Sequence, residues 1–135
     1  MDLTPQQAFD ELQNNPDSVL IDIRSSMEYL FVGHPVGAIH LPWIDEPDWD
    51  INPHFAEDLE KNLRGKKGWD VREHCLIILI CRSGKRSLQA GLHLKEAGYQ
   101  LVSHINEGFE GELDENHQRS KVGGWRFRGL PWEQC

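Results

Sequence analysis

The stretch CLIILICRSGKRSLQAGLHLKEAG, Cys75 to Gly98, decides the fold. Its opening is almost wholly leucine and isoleucine, the composition of a strand buried on both faces of a parallel sheet. The strand is expected to end at Cys81. Arg82, Ser83, Gly84, Lys85 and Arg86 follow as a short polar loop. Ser87 is then expected to open a helix whose Leu88, Leu92 and Ala97 share an apolar stripe and which Gly98 stops. A cysteine thus stands at a strand-to-helix turn, where loop amides and the positive end of the helix point toward its sulfur. Three cations surround it, and such surroundings favour a thiolate.

Strand and helix signals alternate outward from this core. Val19–Ile23 and Gln100–Ile105 read as further strands, and Ala38–Leu41 as a short one stopped by Pro42. Thr4 and Pro5 begin a helix with Ala8, Phe9 and Leu12 on its apolar side. Ser25 and Glu28 form a capping box for a short helix through Phe31, and Gly33 to Gly37 reads as a turn. The acidic, tryptophan-bearing stretch Trp43 to Pro53 is expected to be an ordered loop. Asn52 and Pro53 start a helix carrying Phe55, Leu59 and Leu63, expected to end at Gly65 beside Arg64, Lys66 and Lys67. Strands separated by helices imply right-handed crossovers and a mostly parallel sheet. Ligands of such sheets bind beyond the carboxyl ends of the strands, where Cys81 falls.

At 135 residues the chain is expected to form one domain, 1–135, around one core. A net charge of −8 argues against a nucleic-acid partner, so the Cys81 loop is a local cationic exception suited to small anions. No apolar run reaches the roughly 18 residues of a membrane span, and the first residues lack the pattern of a secretion signal. Three cysteines give no disulfide framework, and unbridged thiols fit a reducing compartment, so a cytoplasmic location is expected. The seven histidines stand singly, without the paired spacing of a metal site, and neither metal nor cofactor is expected. From Glu107 onward an acidic run precedes a basic one interleaved with aromatics. Its aromatics either pack on the sheet or let Trp125 or Trp132 roof the mouth of the site.

CRSGKRS followed by this helix resembles the active-site loop of the rhodanese (sulfurtransferase) family. LIDIRSSMEYLFVGHPVGAIHLPW, Leu20 to Trp43, resembles the family's strand with its D-x-R, E-Y and G-H-x-x-G-A-x-x-x-P, and INEGFEG, Ile105 to Gly111, its turn after the active-site helix. The resemblance implies an α/β fold with a central, mostly parallel five-stranded sheet and helices on both faces. It implies a thiosulfate sulfurtransferase, with Cys81 carrying sulfane sulfur as a persulfide to a thiophilic acceptor. Arg82, Ser83, Gly84, Lys85, Arg86 and Ser87 would bind the substrate, their amides cradling the anionic outer sulfur. Among the cations, Arg86 is the first candidate to face inward and Arg82 the second. Asp22 and Arg24 would stand near the site, in a structural or a catalytic role, and His40 departs from the asparagine common in the family. A small anionic sulfur donor is expected, with a thiol or a sulfur carrier as acceptor.

Two other readings compete. Cysteine-based phosphatases and arsenate reductases of related fold place five residues between cysteine and arginine, whereas this loop places four, Arg82 to Lys85, too few to ring a phosphoryl group. A non-catalytic binding or sensing module is the other reading, against which the retained cysteine and its cationic loop argue.

Overall fold

The computed structural model describes residues 2–67 and 70–135, and for 65–67 the backbone alone. Five parallel strands form the central sheet: β1 (Asp2–Leu3), β2 (Ser18–Asp22), β4 (Ile39–His40), β5 (Leu76–Ile80) and β6 (Val102–Ile105), in the order β1-β6-β5-β2-β4. The expected five-stranded α/β architecture is therefore present. β5 is central because its run of apolar residues is buried on both sides. Cys75, Ile77, Leu79 and Cys81 enter one core and Ile78 and Ile80 the other, following the two-residue alternation of a strand.

The helices α2 (Phe55–Lys67), α3 (Val71–His74) and α4 (Lys85–Glu96) contribute to the first core. Phe55, Leu59 and Leu63 are completely buried there, each stabilising the fold by about 1.5–3 kcal/mol. α2 continues past Gly65 to Lys67, because backbone bonding within a packed helix overrides the weak helix propensity of one glycine. The expected Lys66 and Lys67 charges at its end lie outside the described side chains. On the opposite face α1 (Pro5–Asn14) packs with Trp125, Phe109 and Leu130. Thr4 and Gln7 close a reciprocal capping box at its start.

α4 begins two residues before Ser87, with Gly84 at φ +103° as its N-cap. Its buried stripe is Ser87, Ala90, Gly91 and Leu94, while Leu88 (46% exposed) and Leu92 (53%) face outward, against the sequence expectation. The stripe obeys the expected helical period but is offset by one position. Small residues on that side let the helix axis come close to the sheet: a Cβ at Gly91 would already touch Val102 and Leu79.

The expected turn at Gly33 to Gly37 contains β3 (His34–Pro35), which pairs antiparallel with β7 (Trp132–Glu133). Sequence periodicity cannot signal a two-residue ribbon closed by a distant segment. Acidic and basic runs in the last third pair with each other, Arg128 with Glu107 at 3.0 Å and Arg126 with Glu110 at 3.9 Å. Trp125 is buried against Phe9 and donates its ring N–H to the Pro131 carbonyl. It therefore packs on the α1 face and does not roof the sulfur of Cys81, which lies on the other. No helix among the described residues is long and apolar enough to cross a membrane.

Candidate active site

β2 and β5 run in register, Asp22 beside Ile80, so the residues after both strands emerge at one edge. Strand alternation turns the Cys81 side chain to the same face as Ile77 and Leu79, the face that α4 covers. Its sulfur consequently lies under the first turn of α4. Cys81 Sγ accepts hydrogen bonds from the backbone N–H of Gly84 (3.1 Å) and Ser87 (3.3 Å), and Ser87 Oγ is 3.3 Å away. The N–H groups of Lys85 and Arg86 belong to the same first turn, which has no intrahelical acceptors to offer them. Amides and the helix dipole thus combine into a site for negative charge on or just beyond the sulfur.

Two glycines make this cup possible. Gly84 has a left-handed backbone, and a Cβ there would collide with the Asn106 carbonyl. Gly108, at φ +67°, allows its turn to press on the loop: a Cβ would stand 2.5 Å from the Arg82 carbonyl. The turn then binds the loop from behind, Phe109 N–H donating to Cys81 O (2.8 Å) and Glu110 N–H to Arg82 O (2.9 Å). The loop carbonyls are drawn backward, so the amides of the next residues face forward.

The structure separates the three loop cations. Arg82 and Lys85 are exposed, and Arg86 is half-buried in a bidentate pair with Glu28, both N···O distances being 3.0 Å. Burial opposes ionisation of Glu28, but the bonds from Arg86 and Ser25 outweigh it and hold its carboxyl below the usual carboxylate range. The same pair, against the cost of burial, raises Arg86 above its ordinary value, with the Cys81 and Asp22 charges adding to it. Because the Glu28 value is depressed on folding, the pair stabilises the fold above the ordinary glutamate range. That contribution disappears as pH falls through the folded-state value.

Asp22 and Arg24 are fully buried and bonded to each other, Arg24 Nε to Asp22 Oδ1 at 2.9 Å and Nη2 to Oδ2 at 2.6 Å. Arg24 also donates to the Gly33 carbonyl and lies 4.4 Å above the Phe109 ring, a cation–π contact. Neither residue touches the sulfur through any hydrogen bond among the described residues. His40 bonds the Arg24 carbonyl at 2.9 Å and stacks on Tyr29, which itself stacks on His34. Its ring ties β4 to the segment that follows β2.

Sequence reading missed two residues that the fold brings to the site. His104 on β6 is the register partner of Leu79 and of Asp2 on β1. Its Nδ1 lies 2.8 Å from Ser87 Oγ and its Nε2 2.9 Å from Asp2 Oδ1. The available signal was a histidine two positions after buried Val102, hence on the same face of the strand.

The rhodanese-like domain profile matches residues 5–114. The chain belongs to the rhodanese family. Among relatives of this rhodanese, the thiosulfate sulfurtransferase GlpE of Glaesserella parasuis is 31% identical, over 82% of this chain and 83% of that protein. An uncharacterized protein, the RP600 homolog of Rickettsia rickettsii, is 29% identical over 94% of this chain and 92% of its own length. The crystal structure of Rv0390 from M. tuberculosis superposes with a TM-score of 0.83 at 35% identity, covering 99% of this chain and 97% of that one.

Proposed function

We propose that this rhodanese is a sulfurtransferase that carries sulfane sulfur as a persulfide on Cys81, taking it from thiosulfate or a similar small anionic donor. The observation that carries this reading is the sulfur of Cys81 accepting two backbone N–H bonds at the start of α4. The Cys81 thiolate attacks the outer sulfur of thiosulfate. The S–S bond of the donor breaks, and sulfite leaves with the electron pair. The outer persulfide sulfur is anionic, and the first-turn amides of Lys85 and Arg86 hold it without a general base. Exposed Arg82 and Lys85 draw in the donor and stabilise the leaving sulfite. A nucleophilic thiol or a sulfur-carrier protein then takes the sulfur and regenerates the thiolate, cyanide serving in the assay. The reducing cytoplasm is the compartment that suits this chemistry. Incubation with thiosulfate is expected to add about 32 Da, one sulfur, to the Cys81 peptide, and cyanide to remove it as thiocyanate. Failure to gain that mass, together with hydrolysis of p-nitrophenyl phosphate, would replace this reading by the phosphatase one.

Glu28 masks the charge of Arg86. Glu28→Gln keeps a capping-box residue but frees the guanidinium, and the KM for thiosulfate is expected to fall about threefold at low ionic strength. An unchanged or higher KM in steady-state assays would remove Arg86 from donor attraction.

A further inference from the structure

Buried Cys81, Ser87 and His104 and exposed Asp2 form a continuous series of hydrogen bonds reaching from the nucleophile to the sheet edge. Its directions follow from chemistry. The Asp2 carboxylate only accepts, so His104 Nε2 carries a proton and donates it. With the proton on Nε2, a bare Nδ1 at 2.8 Å takes the hydroxyl proton of Ser87 in preference to the Gly84 carbonyl at 3.2 Å. Ser87 Oγ is left with lone pairs toward Cys81 Sγ, so it can receive the thiol S–H but offers nothing to a thiolate.

We propose that His104, oriented by Asp2, is a positioning residue that stores the Cys81 thiol proton through Ser87. On ionisation the S–H proton passes to Ser87 Oγ while the Ser87 proton passes to His104 Nδ1. The products are a thiolate and an imidazolium paired with Asp2. The imidazolium donates to Ser87 Oγ, which frees the hydroxyl proton to turn toward the sulfur. The thiolate then has three donors, the Gly84 and Ser87 amides and the Ser87 hydroxyl. Sulfur transfer afterwards moves no proton, because thiolate plus thiosulfate gives anionic persulfide plus sulfite with the charges balanced.

The neighbouring charges leave this role to His104. Among the described residues, those that bond the imidazole or stand in register with it are Leu79 from β5, Ser87 from α4 and Asp2 from β1, and of these Asp2 supplies the charge. Around the sulfur, Arg86 is paired with Glu28 and Arg24 with Asp22, while Arg82 and Lys85 face solvent. The inference rests on Cys81 being the sulfur carrier, but its test does not require sulfur transfer.

The test is the pH dependence of Cys81 alkylation by iodoacetamide, a neutral reagent, with the site read by peptide mass spectrometry. His104→Phe is expected to alkylate about tenfold more slowly than the parent at pH 6 and within about twofold of it at pH 9. Asp2→Asn, at a side chain 59% exposed on an edge strand, keeps a hydrogen-bond acceptor and the fold. Its expected loss is about threefold at pH 6 alone, and it carries the test should His104→Phe not fold. Superimposable profiles overturn the relay. So does a loss by the same factor at every pH, the mark of altered access. Mass gain from thiosulfate is scored on the same samples. Shifted profiles without sulfur uptake keep the relay and reject the transferase reading, and uptake with unshifted profiles does the reverse.

Discussion

Cys81→Ser is expected to lower thiocyanate formation from thiosulfate and cyanide by about 10⁴-fold or more, with the fold intact. Serine is smaller by little and can accept the Gly84 and Ser87 amides in place of sulfur, so the loop keeps its interior partners. What it lacks is a group that ionises near neutral pH and bonds sulfur to sulfur. The other two cysteines are internal comparisons. Cys75 is buried in the core at the far end of β5, and Cys135 is exposed beside the Leu30 carbonyl, so neither stands over a helix N-terminus. Coupled thiocyanate assays and intact-mass measurements on the same preparation check the expectation. Activity above about 1% of the parent, or sulfur mass retained on Cys75 or Cys135, would move the carrier elsewhere.

Much of this was legible in the chain because it depended on local pattern. The apolar run of β5, the glycine in the Cys81 loop and the Phe55, Leu59, Leu63 spacing each report their own burial. Leu88 and Leu92 misled because hydrophobicity alone was followed. The sheet instead selected the small Ser87, Ala90 and Gly91, which allow close approach. Arg86, the first candidate to face inward, is the half-buried one of the three loop cations, but its partner was hidden. The proximity of Arg86 to the helix start was readable, but the carboxylate that claims it comes from Glu28, 58 residues earlier. His104 and Asp2 were invisible as a pair, 102 residues apart, until β1 was seen beside β6. β1 has only two residues, too short for a periodic signal. Register, which decides such pairs, is set by the whole sheet and not by any one strand.

Asp22→Ala is expected to destabilise the protein by about 3–5 kcal/mol, because it strands the Arg24 guanidinium in the core. The carboxylate receives the Arg24 backbone N–H as well as its Nε and Nη2, so one substitution removes all three of these bonds between the end of β2 and Arg24. Arg24 Nη1 is already buried without a hydrogen-bond partner, leaving the Phe109 face and the Gly33 carbonyl as its remaining support. Urea unfolding at neutral pH measures the loss, and a change under about 1 kcal/mol would mean that water reaches Arg24 once the carboxylate is gone. The double variant Asp22→Ala with Arg24→Met removes both charges and is expected to recover most of the lost stability, since an apolar thioether needs no partner there. It also decides what the D-x-R does in this rhodanese. Asp22 contributes to the field at Arg86 but holds no bond to the loop sulfur, so a folded double variant with near-parental kcat assigns the pair to scaffolding. A kcat that stays low after stability has returned assigns it to the electrostatics of the cup, because packing has then been restored and charge has not.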